Sequence, residues 1–241
     1  MRVDAFVRRY VRPFIPFPKK RTLLRYFPSF ETKNIGHIFR LHRVDTVLDV
    51  GANRGQFGAR IRSGGYRGKI ISFEPNLDVH ELLKNASRRD RNWIVADPLA
   101  LADAEGSAIL EIPSDSALGS IRALINPQNV KYQPTKVKRL DDVVPELEIP
   151  DSAIVALKID VQGLEDKVLD GARKILSRVK VILIEVSLRP LYLGEPSYLE
   201  ILERLKDCGF DAVFFSPVTS HKLYGESWQT DVLLVRRQGS V

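Results

Sequence analysis

The sequence contains very little cysteine and histidine, with 1 cysteine and 4 histidines among 241 residues. A single cysteine excludes an internal disulfide and suits a reducing compartment. No spacing of cysteine and histidine matches a zinc site. We expect Cys208, near the end of a predicted helix, to be buried, and we expect the histidines to lie on the surface or in packing roles. Among them, His221 falls in a late loop that could fold back toward a binding cleft.

Long apolar runs are absent as well, since no segment approaches the ~18 to 20 residues of a membrane-spanning helix. The first residues carry charge but lack the apolar core of a secretory signal. We therefore predict a soluble, cytoplasmic protein. The net charge is +7, and a basic group interleaved with aromatic residues lies within residues 1–26. This group could hold the chain peripherally at the inner face of a membrane.

No internal repeat or low-complexity tract interrupts the chain, and two parts are predicted. Residues 1–43 form a basic, partly helical N-terminal extension, and residues 44–241 form a globular domain. In that domain, apolar runs of strand length alternate with helical patterns. Strands are predicted at 44–50, 69–73, 93–96, 108–112, 135–139, 153–159, 179–186, 211–215 and 231–235. This alternation is typical of a doubly wound, mostly parallel α/β sheet.

The first strand runs into a glycine-containing loop, Asp49-Val50-Gly51-Ala52-Asn53-Arg54-Gly55. In parallel sheets, ligands bind beside this turn, at the carboxyl ends of the strands. Loops of this kind bind dinucleotides, phosphates or S-adenosylmethionine. A dinucleotide loop would carry glycine at the position of Asn53. The Asp49 carboxylate would repel a phosphate and attract a sulfonium or an amino group, which favours S-adenosylmethionine.

Carboxylates are predicted at the ends of three other parallel strands. Glu74, in Phe73-Glu74-Pro75, can accept hydrogen bonds from both ribose hydroxyls of a nucleoside. NAD enzymes use the same arrangement, so Glu74 indicates a nucleoside and does not identify what is attached to it. Asp160 and Glu185 end two later strands, where they could hold a divalent cation such as magnesium or draw a proton from a hydroxyl.

With these motifs the chain resembles the FkbM family of methyltransferases over roughly residues 44–237. The resemblance rests on the glycine loop and on several further segments, namely Ser72-Phe73-Glu74-Pro75, Leu140-Asp141-Asp142, Leu157-Lys158-Ile159-Asp160 with Gly163 and Glu165, Leu183-Ile184-Glu185-Val186-Ser187, and Gln229-Thr230-Asp231-Val232. It implies a Rossmann-like class I methyltransferase domain with a seven-stranded sheet whose last strand is reversed. It also implies S-adenosylmethionine as the methyl donor and O-methylation of a sugar, glycolipid or polyketide-like acceptor. Many family members have glutamate where this chain has Gln162, which removes one carboxylate from any metal site.

Motifs and resemblance together give a set of predicted site residues. The predicted donor-binding residues are Asp49, Gly51, Ala52, Asn53, Gly55, Phe57, Glu74, Pro75, Leu101 and Asp160. Asp160 and Glu185 are the predicted catalytic residues and the predicted ligands of a divalent cation. Ser116 and Ser120, from a loop rich in polar residues, and His221 are predicted to contact the hydroxylated acceptor.

Two alternatives stay open at this point. An NAD-dependent oxidoreductase would also need a glycine loop and Glu74, but Asn53 and Asp49 disfavour it. A basic RNA-binding or RNA-methylating protein is favoured by charge, yet no aromatic-basic recognition motif accompanies that charge. We therefore expect a small-molecule acceptor and no nucleic-acid partner.

Overall fold

The computed structural model describes residues 30–113, 119–123, 129–216, 219–220 and 227–237. Its strands are β1 (Thr46–Val50), β2 (Lys69–Phe73), β3 (Trp93–Val95), β4 (Ala100–Leu101), β5 (Gly106–Pro113), β6 (Val130–Lys138), β7 (Val155–Ile159), β8 (Val179–Ser187), β9 (Phe210–Phe215), β10 (Thr219–Ser220) and β11 (Ser227–Arg236). Strands β3-β2-β1-β7-β8 are parallel neighbours in that order. Strand β11 runs antiparallel to β8 and to β9. The predicted mostly parallel sheet with a reversed last strand is confirmed, and the short β10 brings the described sheet to 8 strands.

The helices are α1 (Phe30–Leu41), α2 (Gln56–Ser63), α3 (Leu77–Ser87), α4 (Leu140–Val143), α5 (Glu165–Asp170) and α6 (Tyr198–Asp207). Two of them begin at residue types that predict an N-cap, namely Asn76, and Ser197 followed three residues later by Glu200. The Asn76 side chain accepts a hydrogen bond from the Asp78 N–H at the start of α3. Ser197 and Glu200 form a complete capping box at the start of α6. Each cap satisfies backbone N–H groups that have no partner inside the helix.

Every residue of β1 and β7 is buried, because helices cover both faces of the sheet. Alternate residues of a strand point to opposite faces. Leu48 and Val50 accordingly join the apolar cluster that includes residues of α5 and α6. Val47 joins the cluster that includes residues of α1, α2 and α3. The same alternation turns the side chain of Asp49 to the opposite face from its neighbour Val50.

A second, smaller sheet has the order β4-β6-β5. The sequence predicts short strands at 108–112 and 135–139, but the structure has the longer β5 and β6, paired antiparallel along their whole length. Most of their residues are exposed or half-buried, so their apolar pattern is weak. Gln133 of β6 joins this sheet to the main one, since it donates to the Pro75 carbonyl and accepts from the Leu77 N–H.

Other expectations have mixed outcomes. Cys208 caps the end of α6 and is exposed, so the prediction that it is buried was wrong. His80 is buried on α3 and its Nε2 lies 2.7 Å from the Ala96 carbonyl oxygen, a packing role as expected. Within the described ranges, no helix has the length and apolar character to cross a membrane. Most of the predicted N-terminal extension, residues 1–29, lies outside the described residues.

Candidate functional site

The glycine loop between β1 and α2 has a backbone conformation that few residues can adopt. Gly51, Asn53 and Gly55 have φ angles of 73°, 50° and 82°. A Cβ atom on Gly51 would lie 1.8 Å from the Asp160 carbonyl oxygen, so no side chain fits there. Glycine at this position lets the loop pack directly against the end of β7. Gly51 and Asn53, which are half-buried, face the space above the carboxyl ends of the strands.

Glu74 follows β2 directly and holds two backbone segments together. Its Oε2 accepts from the Asn53 N–H at 2.8 Å, and its Oε1 accepts from the Asn76 N–H at 2.9 Å. The residue is 7% exposed. Burial raises the pKa of the carboxyl to about 7, although the two N–H donors oppose that rise. Each oxygen keeps a further lone pair that could accept from a ligand hydroxyl.

These two features border a pocket of about 590 Å³, which includes its opening to solvent. The walls combine the main sheet with the second sheet and the segment beside it. The lining residues are Val50, Gly51, Asn53, Phe73, Glu74, Pro75, Leu99, Ala100, Leu101, Leu110, Gly119, Ile121, Asp160, Val161, Gln162 and Leu164. A mostly apolar pocket with a few polar groups at its strand ends is suited to a nucleoside-type ligand.

The structure places Asp49 beneath the loop, away from the pocket lining. The residue is fully buried, and burial raises the pKa of its carboxyl. Its Oδ2 accepts from the Ser72 hydroxyl at 3.1 Å, and its Oδ1 lies 3.4 Å from the Lys158 ammonium. Asp49 therefore supports the loop from below, and its predicted contact with a donor is not among the contacts of the described pocket.

Asp160 directly follows β7, and Glu185 lies near the end of the neighbouring β8, two positions before its last residue, Ser187. The two carboxylates lie close together, as predicted, and Gln162 lies between them. The Gln162 Nε2 donates to Asp160 Oδ1 at 2.9 Å and to Glu185 Oε2 at 2.8 Å. Gln229 Nε2 donates to the same Glu185 oxygen at 2.7 Å. Burial, followed by the nearby carboxylates of Asp160 and Asp231, raises the pKa of Glu185 to about 9. We call Asp160, Gln162, Glu185 and Gln229 the carboxylate–amide group.

Asp160 alone of the two predicted catalytic carboxylates lines the pocket. Glu185 is connected to the pocket through Gln162. The described residues contain no group of three or more histidine, cysteine, aspartate or glutamate side chains arranged to hold a metal ion. The two predicted metal ligands instead share the amide of Gln162, and the cation stays a prediction.

The remaining predicted residues are placed as follows. Gly51, Asn53, Glu74, Pro75, Leu101 and Asp160 line the pocket, whereas Ala52, Gly55 and Phe57 are not among its lining residues. The Ser120 hydroxyl donates to the Gln162 carbonyl at 2.6 Å and accepts from the Arg122 N–H at 3.0 Å. It therefore anchors the segment over the pocket, and its backbone neighbours, Gly119 and Ile121, form the wall. Ser116 and His221 lie outside the described residues.

The site also contains residues for which the sequence predicted no role, among them Lys158, Gln162 and Tyr192. The Lys158 ammonium lies 3.2 Å from Asp160 Oδ2 and 2.7 Å from the Gly51 carbonyl oxygen. Gln162 and Tyr192 are joined by a hydrogen bond of 2.9 Å from the tyrosine hydroxyl. Lys158 could have been found, because a lysine inside an apolar strand must have a buried partner. Tyr192 gave no comparable signal in the sequence.

Comparisons with known proteins identify related sequences. Residues 49–212 match the sequence model of the methyltransferase FkbM domain. The chain is 26% identical over 142 residues to the hexuronic acid methyltransferase AglP of Haloferax volcanii, an alignment that covers 59% of this chain and 56% of that protein. The chain thus spans little more than half the length of this curated relative.

Solved structures share the fold at low sequence identity. A putative O-methyltransferase from Klebsiella pneumoniae has a TM-score of 0.52 and 10% identity, with 97% of each chain covered. A putative tRNA (m1A22) methyltransferase from Streptococcus pneumoniae, solved with S-adenosyl-L-methionine, has a TM-score of 0.50 and 11% identity, covering 89% of this chain and 76% of that one. The fold is that of the class I methyltransferases. By its sequence match over most of its length, the chain belongs to the FkbM family of methyltransferases.

Proposed function

We propose that this protein is an S-adenosylmethionine-dependent O-methyltransferase whose acceptor is a hydroxyl of a sugar, glycolipid or polyketide-like molecule. The observation that carries the proposal is the meeting of Asn53, Glu74 and Asp160 at one pocket. Membership of a methyltransferase family supports the reaction type. The similarity to a hexuronic acid methyltransferase supports a sugar-type acceptor.

The donor would lie across the glycine loop, with its ribose at Glu74. The Glu74 carboxylate is already fixed by two N–H donors, so it can accept from ribose hydroxyls without losing its orientation. Leu99, Ala100 and Leu101 give the pocket an apolar wall suited to adenine. Gly51, which lines the pocket, would face the methionine part of the donor.

Methyl transfer breaks the bond between sulfur and the methyl carbon and forms a bond from that carbon to the acceptor oxygen. The acceptor hydroxyl must also lose its proton. Asp160 is the carboxylate that faces the pocket, and it can take that proton or orient the hydroxyl. Glu185 would act through Gln162, which fixes the Asp160 carboxylate. Most of the rate acceleration would come from holding oxygen, carbon and sulfur in line.

Calorimetric titration with S-adenosylmethionine, NAD and RNA tests the donor part of this proposal. Binding of S-adenosylmethionine alone is the expected result. Incubation with labelled donor and a cell extract then tests the acceptor. An ether methyl on a glycan or small molecule is expected from the wild type and is expected to disappear in Asp160→Asn. Label on nitrogen in RNA or protein would refute O-methylation.

The divalent cation, the membrane contact and the cytoplasmic location are further parts of the proposal. A cation at Asp160 and Glu185 would stabilise the developing alkoxide. Full activity after exhaustive chelation would refute that role. The basic residues within 1–26 would bind anionic vesicles, and unchanged vesicle binding after deletion of residues 1–26 would refute a membrane role for them.

A further inference from the structure

Lys158 lies inside the main sheet, where charged side chains are rare unless they are paired. The residue is on β7 and is the register partner of Asp49 on β1. It is 7% exposed. Transfer of an ammonium group from water into such a site is strongly unfavourable unless its charge and its N–H groups find partners.

The ammonium of Lys158 finds those partners in three different parts of the site. It lies 2.7 Å from the Gly51 carbonyl oxygen, in the glycine loop. It lies 3.2 Å from Asp160 Oδ2, at the pocket wall. It lies 3.4 Å from Asp49 Oδ1, below the loop. The Lys158 ammonium therefore contacts the glycine loop, Asp160 and Asp49 at the same time.

The side chain of Lys158 is held in place by a row of polar groups across the sheet. The Trp93 indole N–H donates to the Ser72 hydroxyl at 3.0 Å, and that hydroxyl donates to Asp49 Oδ2 at 3.1 Å. Trp93, Ser72, Asp49 and Lys158 belong to β3, β2, β1 and β7, which are successive neighbours. Hydrogen bonds join the first three members, and the Asp49 carboxylate that they orient forms an ion pair with the Lys158 ammonium.

The charge of Lys158 is as well supported as its position. Two carboxylates, those of Asp160 and Asp49, lie within 3.4 Å of the buried ammonium and balance its charge. An uncharged side chain of similar size would leave a buried carboxylate at Asp49 without its cation. It would also release the Gly51 carbonyl and one oxygen of Asp160.

We propose that Lys158 is a positioning residue, which sets the glycine loop and the Asp160 carboxylate at a fixed separation. The donor would then lie on the loop at the correct distance from the carboxylate that orients the acceptor hydroxyl. This inference rests on the proposed function, since it concerns how the same pocket holds its methyl donor. It adds a residue that contacts neither ligand and yet controls both sides of the transfer.

Donor affinity of the folded protein tests the proposal without any knowledge of the acceptor. Calorimetry would compare wild type, Lys158→Met and the control Lys69→Met, with S-adenosylmethionine and with S-adenosylhomocysteine as probes. Lys69 is a matched control, because its ammonium also donates to backbone carbonyls, of Leu147 and Glu148, but contacts no carboxylate in the described hydrogen bonds. We expect Lys158→Met to bind both probes about tenfold more weakly and Lys69→Met to stay within twofold of wild type.

A second measurement separates positioning from general weakening. In an Asp160→Asn background, Lys158→Met should cause less than half of the logarithmic loss that it causes in wild type, since the carboxylate it holds is gone. If Lys158→Met does not fold, the double variant Asp49→Asn, Lys158→Met removes the buried anion together with the cation and replaces it in both comparisons. Circular dichroism would establish that each variant is folded.

The outcomes differ for the two proposals. A wild-type protein that binds neither probe would refute the proposed donor, whatever the variants do. A wild type that binds, with a folded Lys158 variant less than threefold weaker, would overturn the role of Lys158 and leave the donor proposal standing. Fully additive losses with Asp160→Asn would also overturn the role of Lys158. A loss of threefold or more that shrinks in the Asp160→Asn background supports it.

Discussion

Replacement of Glu74 by alanine is the most direct perturbation of the pocket proposed to bind the donor. The change removes a carboxylate that accepts from the Asn53 and Asn76 N–H groups at 2.8 and 2.9 Å. A buried donor without a partner costs about 1–3 kcal/mol. That cost applies to both N–H groups. Removal of Glu74 also removes a buried group whose charged form burial disfavours, which offsets part of the cost. We expect the free energy of unfolding to fall by about 1–3 kcal/mol in total.

Glu74→Ala should also weaken the binding of the methyl donor. Hydrogen bonds from ribose hydroxyls to a charged acceptor contribute about 1.5–3 kcal/mol, which corresponds to about a 10- to 150-fold loss of affinity. Calorimetry with S-adenosylmethionine measures this loss, and urea denaturation measures the stability. Glu74→Gln keeps one acceptor oxygen and should fall between wild type and Glu74→Ala in both measurements.

Glu81→Ala provides the control, because Glu81 lies on α3 with an exposed ion pair to Lys84. Such pairs contribute little, and both measurements should stay close to wild type. A folded Glu74→Ala protein with donor affinity within threefold of wild type would refute the assignment of Glu74 to the ribose. If the stability of Glu74→Ala still fell, that result would nevertheless support the role of Glu74 in holding the Asn53 and Asn76 backbone segments together.

Three other outcomes are expected. The pKa of Glu74 is raised from 4.5 to about 7, so its contribution to the stability of the ligand-free protein is fully present below about pH 4.5 and is lost as the pH rises through 7. In urea denaturation, Glu74→Gln should flatten this decline in stability, and an equal decline in the variant would contradict the prediction. Gly51→Ala should abolish donor binding, since its Cβ would lie 1.8 Å from the Asp160 carbonyl oxygen, whereas Gly106→Ala, with open space around its Cβ, should bind normally in calorimetry. Gln162→Glu places a carboxylate against those of Asp160 and Glu185, so the melting temperature should fall, and manganese or magnesium should restore it. A melting temperature that neither the substitution nor the metal changes would disprove this reasoning.

The sequence predicted the centre of the fold well because that region obeys simple patterns. Apolar runs that end at glycine or at a carboxylate predict buried parallel strands, and adjacent strand ends predict that Asp160 and Glu185 lie close together. The caps at Asn76 and Ser197 were equally predictable, since they depend on residues only two or three positions apart.

The contacts that organise the site could not be predicted in the same way. Gln162 donates to both carboxylates from a backbone with a φ of 59°, a conformation that its residue type does not indicate. Tyr192 meets Gln162 across 30 positions of sequence. The ion pair of Asp49 with Lys158 depends on the pairing of β1 with β7, which the pattern of neither strand specifies. The second sheet was underestimated because its half-exposed strands have little apolar periodicity.

Trp93 can report optically on the glycine loop and on the start of α2, since its ring packs against both. Its indole ring packs so closely on Gly58 that a Cβ there would lie 2.2 Å from the ring, and a Cβ on Gly55 would lie 3.1 Å from it. The sequence contains 2 tryptophans, so a Trp228→Phe variant would leave Trp93 as the sole source of indole emission. Changes in that emission would follow the loop during donor binding, without any attached dye.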